Sequence, residues 1–288
     1  MPSLIDFRRR IRSVKNTQQI TKAMKMVSAA KLRRAQDRVI AARPYAQTMR
    51  ELLANLTAAA ASADDAAESP WLVRREPKRV DLIMFASDTG LAGAFNSNLM
   101  KASLKFYEDH KGKEISLTLI GRKGRDFWRK REGRILADHI NVLNRPTHAD
   151  AAAIAKETIR RYRDGETDAV YILNNEFKSV ISQKLSVSQV LPLEIEGNAP
   201  GSQQDYIYEQ SPVEMLEQLI PRYVEVSVFR AMLETVAAYQ AARMTAMDTA
   251  SSNAKDVIEA ITLHMNRVRQ AAITKEIIEV VSGAAAAE

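Results

Sequence analysis

The stretch of this 288-residue chain that comes nearest to a chemical site is Ser87-Asp88-Thr89-Gly90-Leu91-Ala92-Gly93-Ala94-Phe95-Asn96. It follows an apolar run that reads as a strand and opens a helical pattern, a place where backbone amides often cradle phosphate. It is neither G-x-G-x-x-G nor a Walker A loop, because the Lys-Ser/Thr ending is missing. A tight strand-to-helix turn, with Asp88 or Asn96 capping the helix, accounts for it. Gly121-Arg122-Lys123-Gly124 is basic and glycine-flanked, and a solvated turn after a strand accounts for it in the same way. The histidines (His110, His139, His148, His264) are scattered without metal-ligand spacing. His264 sits on a long helical pattern, where a packing or surface role is expected. With no cysteine, disulfides, thiolate metal sites and a cysteine nucleophile are excluded. Neither G-x-S-x-G nor H-E-x-x-H is present. No catalytic residue, cofactor or metal is expected from these residues.

The elements that would position such groups divide the chain in three. Nine of the ten glycines lie between Gly90 and Gly201, so the termini are almost glycine-free and the middle is turn-rich. From Ser3 to about Thr57, apolar residues stand at Leu4, Phe7, Ile11 and Val14, and again at Ala35, Val39, Ala42, Ala46, Met49, Leu53 and Leu56. Spacings alternating three and four define a heptad seam. Between these stretches the helical pattern reads in a shifted phase, through Ile20, Ala23, Met24, Val27 and Ala30. Pro44 is expected to kink or break the helix.

The last part, 211–288, holds a second heptad series. It runs from Val226 through Leu233, Gln240, Met247, Ala254 and Ile261 to Val268 and Ala272, with no proline after Pro221. At roughly 1.5 Å per residue, residues 222–282 predict a rod of about 90 Å, which needs a partner helix. The N-terminal helix, 1–57, is that partner, and the folded middle favours an antiparallel pair. After Ala272 the seam changes phase to Ile273, Ile277, Val280 and Val281, which predicts a tip enclosed by other subunits. Residues 58–77 form an Ala/Ser/Asp-rich connector. Residues 78–210 alternate strand and helix signals, with strands at 80–87, 115–121, 169–174 and 185–193 and helices at 94–110, 123–131 and 149–164. The fold class is therefore α/β, Rossmann-like with a largely parallel sheet, plus a long antiparallel coiled coil formed by the terminal helices.

Charge narrows the choice of partner. Residues 1–43 carry twelve Lys or Arg and two acids, a net of +10 within an overall +7, so the rest of the chain is net −3. An acidic partner is implied for that segment: nucleic acid, anionic lipid or an acidic protein surface. The cations spread around the helix with little aromatic interleaving, as on a solvated face. No apolar run is long enough to span a membrane. The Arg-rich start continues straight into the helix, which favours a structural role over a presequence.

Several stretches resemble the gamma chains of F-type ATP synthases. Arg9 to Val27 (RRIRSVKNTQQITKAMKMV) is similar to that family's N-terminal helix, and Ile273 to Ala284 (ITKEIIEVVSGA) to its C-terminal signature. Gln240–Met247 and Asn266–Ala271 also match, so the resemblance covers the whole chain in order. It implies a bacterial-type central-stalk rotor subunit, peripheral on the cytoplasmic face of the plasma membrane. The coiled coil would enter a ring of three alpha and three beta subunits. The α/β domain would meet the epsilon subunit and the membrane c ring, with delta in the same complex. Proton flow through the c ring would turn the shaft and drive ATP synthesis on beta, with no catalytic site on this chain.

The resemblance places Met24 and Lys25 near the acidic loop of beta. Arg269, Gln270, Thr274 and Glu276 fall where the C-terminal helix meets the head, and Tyr206, Tyr208 and Glu209 near epsilon and the c ring. The chain departs from the family pattern at Thr89 and Ala92, where Arg and Cys are usual. It departs again at Asn174, where Tyr is common, and at Tyr239, where an acid is common. On charge alone the alternative is a basic coiled-coil nucleic-acid-binding protein; an enzyme in the middle domain is a third reading.

Overall fold

The computed structural model describes residues 3–60, 71, 76–180, 182–193 and 210–285. Helix α1 spans Leu4–Ala60 and the final helix spans Pro212–Ala285. Between them come β1 (Arg79–Phe85), α2 (Phe95–Asp109), β2 (Glu114–Ile120) and α3 (Arg122–Trp128). Then follow β3 (Arg134–His139), α4 (His148–Arg163), β4 (Ala169–Phe177) and β5 (Gln183–Leu191), which makes the last helix α5. Neither Pro44 in α1 nor Pro221 in α5 ends its helix. Packing on the rest of each helix outweighs the one hydrogen bond that a proline removes.

The chain forms two compact units, one from residues 1–28 with 243–288 and one from 29–242. In the first, the helices pair antiparallel: Phe7 meets His264 edge-on at 5.2 Å between ring centroids, Thr21 Oγ1 lies 2.7 Å from Ser251 Oγ, and Lys25 pairs with Asp248. The burial pattern corrects the sequence reading of residues 17–34. The seam does not shift phase. It continues at the same alternating spacing through Gln18, Thr21, Lys25 and Ser28, of which Thr21 and Ser28 are buried. Ile20, Met26 and Val27 instead stand 60%, 63% and 55% exposed. Polar residues occupy the inside here and apolar ones the outside. A hydrophobicity pattern misreads such a stretch because it assumes the reverse. On α5 the predicted positions Met247, Ser251, Ala254, Ile258, Ile261, Met265 and Val268 are all buried or half-buried.

In the second unit the five strands lie in the order β3-β2-β1-β4-β5, all parallel except β5, which runs antiparallel on the edge. Alternation sorts the side chains between two faces. Ile83 and Phe85 of β1 join a core with Leu53 and Leu56 of α1, Ile154 and Tyr162 of α4, and Leu216, Val224 and Val228 of α5. Val80, Leu82 and Met84 join the opposite core with Leu99 and Phe106 of α2, Leu117 and Leu119 of β2, and Trp128 of α3. One polar pair lies within the first layer. Arg161 of α4 donates from Nε and one Nη to the two oxygens of Asp81, at 2.9 and 3.1 Å, with side chains only 8% and 4% exposed. Strand β3 gives little sequence signal because it is a half-buried edge strand with only three consecutive apolar residues, Ile135, Leu136 and Ala137. The capping box of α4, in which Thr147 and Asp150 satisfy each other's backbone amides, fixes where that helix starts.

Candidate functional site

The turn after β1 is held by its own side chains and by distant ones. Asn96 Oδ1 accepts from Ser87 N at 3.2 Å, while Ser87 Oγ donates to the Thr89 carbonyl at 2.6 Å. The expectation that Asp88 or Asn96 caps α2 is corrected: α2 has no side-chain cap. Asp88 Oδ1 accepts instead from the backbone amides of Arg122, at the start of α3, and of Asn141, after β3, at 3.0 and 3.1 Å. Asp88 thus joins three loops at the carboxyl end of the sheet, and its charge favours the positive end of α3. Gly121 makes this approach possible. Its φ is +93°, and a Cβ there would fall 2.1 Å from the Ala86 carbonyl oxygen. The 121–124 stretch is therefore a packed strand-to-helix junction.

Two of the departures from the family pattern touch each other. Thr89 Oγ1 lies 2.5 Å from the Tyr239 hydroxyl, which donates to the Gly90 carbonyl at 3.2 Å. The Tyr239 ring meets Phe95 edge-on at 5.7 Å. The two hydroxyls tie the turn to α5. Only the fold reveals it, because the residues are 150 positions apart. Asn174 is buried on β4 opposite Ser186 of β5, and Ala92 is buried in the turn.

The residues assigned to partner contact fall in three places. Lys25 Nζ lies 2.6 Å from Asp248 Oδ1 across the helix pair, with side chains 40% and 59% exposed. Solvent screening limits such a pair to at most about 1 kcal/mol. Met24 is half-buried beside it. Arg269, Gln270, Thr274 and Glu276 are all exposed on α5, and the Thr274 hydroxyl donates back to the Gln270 carbonyl at 2.9 Å. The register that sets Phe7 against His264 brings Leu4 level with Val268. Beyond Val268 no described residue of α1 stands opposite α5, and every side chain from Arg269 to Ser282 is exposed. That stretch includes Ile273, Ile277, Ile278, Val280 and Val281, at 49–71% exposure. Tyr206, Tyr208 and Glu209 lie outside the described residues.

The histidines sit in separate ring contacts or strand ends. His110 Nδ1 donates to the Phe106 carbonyl at 2.9 Å, and His148 packs on Phe229. Burial pushes the His139 imidazole below its usual range, against the opposite pull of Asp138 and Asp150. Among the described residues no three His, Asp or Glu converge as metal ligands, and no helix is long and apolar enough to cross a membrane.

Together these features define a class: a long antiparallel helix pair with an α/β domain inserted between its halves in sequence, presenting charge and apolar side chains outward. A family model described as ATP synthase matches residues 3–287. The chain is 59% identical over 288 residues to the ATP synthase gamma chain of Solibacter usitatus, covering 100% of both. It is 48% identical over 287 residues to that of Geobacter metallireducens, covering 99% of this chain and 98% of the relative. Among solved structures it matches the Tetrahymena thermophila mitochondrial ATP synthase central stalk and c ring, with a TM-score of 0.61 at 24% identity over 81% of this chain and 99% of that one. It also matches an OSCP/F1/c-ring assembly of the Euglena gracilis mitochondrial enzyme, with a TM-score of 0.71 at 18% identity over 98% of this chain and 94% of that one. These structures share the fold. The chain belongs to the ATP synthase gamma chain family, and is therefore one subunit of a multi-subunit enzyme. The nucleic-acid reading finds no support among these relatives.

Proposed function

We propose that this chain is the rotating central shaft of a proton-translocating ATP synthase and has no catalytic site of its own. Residues 1–57 and 211–288 form the shaft, 58–77 connect, and 78–210 form the domain that meets epsilon and the c ring. The complex sits at the cytoplasmic face of the bacterial plasma membrane. The observation that carries this reading is the run of exposed apolar side chains on α5 beyond its partner helix, in a chain whose N-terminal segment is strongly cationic. An apolar tip left in water is unfavourable, and a surrounding ring of subunits relieves it. Met24 and Lys25 face beta in this reading, as do Arg269, Gln270, Thr274 and Glu276, while Tyr206, Tyr208 and Glu209 face epsilon and the c ring. The cationic helix attracts acidic loops through a screened field that does not lock to one position.

The chain has no cysteine, so a single one can be introduced without background. Met26→Cys, paired with a cysteine on the facing beta surface, is expected to cross-link in the assembled complex. ATP hydrolysis should stop on oxidation and recover on reduction. Unchanged turnover in the cross-linked complex would mean that the chain does not rotate against beta.

A further inference from the structure

Within the second unit, a cavity of about 320 Å³ opens at the carboxyl end of the sheet. The loops after β1 and β3 form one wall, and α1 and α5 the other. The cavity lies at the carboxyl end of the sheet, the end at which open α/β sheets bind ligands, between the loops after β1 and β3; no described residue of the loop after β4 lines it. Lys31, Arg34, Arg38 and Arg145 line it, against one carboxylate, Asp88, which is already engaged by two backbone amides. None of the four cations pairs with a carboxylate among the described residues. Lys31, Arg34 and Arg38 stand one turn apart on one stripe of α1, where like charges repel and weaken the helix. Helix stability therefore does not explain them. The wall they face also holds polar atoms without a protein partner: the Thr235 hydroxyl, on a residue with 0% exposure, and Gln240 Oε1, on one with 8%. The rest of that wall is apolar, with Leu143, Leu233 and Val236 beside the Tyr239 ring.

We infer that this cavity binds a phosphate-bearing small molecule, with Arg34, Arg38 and Arg145 on the phosphate oxygens and the apolar wall taking the remainder of the ligand. Guanidinium groups match phosphate bidentately, and the volume is at the lower end of the range of small-molecule sites.

The test uses the isolated full-length chain, since the assembled enzyme carries other nucleotide sites. Inorganic pyrophosphate and ADP are titrated calorimetrically at constant ionic strength. Saturable one-to-one binding is expected, and Arg38→Gln and Arg145→Gln should each weaken it roughly ten-fold. Arg8→Gln with Arg9→Gln removes two charges outside the cavity and should leave the affinity unchanged. Thermal melting without ligand identifies any variant that fails to fold, and Arg145→Lys then supplies a charge-conserving substitute expected to retain weakened binding. ADP binding more tightly than pyrophosphate identifies a nucleotide ligand, and equal binding identifies the phosphate group alone. Absence of saturable binding by both probes overturns the proposal. So does an equal loss of affinity in the cavity and remote variants, which would reduce the effect to net charge.

Discussion

Asp81→Asn tests how the sheet is held to the helix layer beneath it. In the native chain Asp81 accepts two hydrogen bonds from Arg161, and Arg161 Nη1 also donates to Glu166 at 2.9 Å. The hydrogen bonding of Arg161 to Asp81 is the main reason the Arg161 guanidinium is held still more firmly in its charged form, outweighing burial. The amide variant leaves that cation buried with only the half-exposed Glu166 as counter-charge. Breaking such a pair from one side costs about 3–5 kcal/mol. A domain's whole stability is about 5–15 kcal/mol, so the variant should fold with roughly a third of its margin gone. Replacing both partners by apolar residues, Asp81→Leu with Arg161→Met, leaves no stranded charge and should cost less than either single change. Urea unfolding followed by tryptophan fluorescence is the assay. Both tryptophans, Trp71 and Trp128, belong to residues 29–242, so the signal reports this unit alone. A loss below about 1 kcal/mol for Asp81→Asn, or a double variant as costly as the two singles added, would refute the reasoning.

Tyr239→Phe removes the hydroxyl that joins Thr89 and Gly90 to α5 but keeps the edge packing on Phe95; at about 1 kcal/mol per hydrogen bond, a loss of about 1–2 kcal/mol is expected in the same assay. Burial alone would raise the Asp168 carboxyl, but the Arg79 amide and guanidinium and the Lys78 amide outweigh it and hold it below the usual range. Its stabilisation is therefore present above the unfolded-state value of about 4 and lost as pH falls through the lower folded value, so the deficit of Asp168→Asn should shrink in unfolding curves taken below about pH 4. Lys25→Glu meets Asp248 at an exposed position and should change stability by no more than about 1 kcal/mol, while altering proton-coupled ATP synthesis in membrane vesicles. Removing residues 273–288 deletes five half-exposed apolar side chains, whose remaining burial contributes about 1 kcal/mol each, so assembly with alpha and beta should need roughly a thousand-fold or more higher concentration in a reconstitution titration.

Much of the fold is legible in the sequence because the residues carrying it repeat regularly. The apolar runs of β1 and β2 and the heptad of α5 follow directly from their periods, and glycine punctuation marks the middle domain. Residues 17–34 mislead for a definite reason. Ile20, Ala23, Met24, Val27 and Ala30 draw the phase toward themselves, while the true seam passes through Gln18, Thr21, Lys25 and Ser28. The alternating spacing does persist if polar residues are admitted to it. The role of Asp88 and the Thr89–Tyr239 pair are invisible in the sequence, since each joins positions dozens of residues apart through the sheet. The cationic cavity is hidden for the same reason: Arg145 reaches the α1 stripe only through the β3–α4 loop.

The inverted stretch of the helix pair bears on how a shaft can work. A pair built for its own stability would bury Ile20 and Val27 and expose Thr21 and Gln18. Here Thr21 and Ser251 hydrogen-bond across the seam, and Gln18 Nε2 donates to the Ser251 carbonyl at 3.3 Å. Polar seam groups lower packing energy but punish a slip of register, because a slip strands them unpaired. The apolar side chains turned outward, Ile20, Met26 and Val27, are more than half exposed, so each has burial energy left to gain at a facing surface. Torque needs a fixed register inside the pair, and turning needs shallow, replaceable contacts outside it. Residues 18–28 hold the register inside the pair through hydrogen bonds, and the exposed aliphatic groups beside them are suited to shallow contacts outside it. Restoring an apolar seam with Thr21→Val and Ser251→Ala would therefore leave the pair folded while loosening the register on which transmission depends.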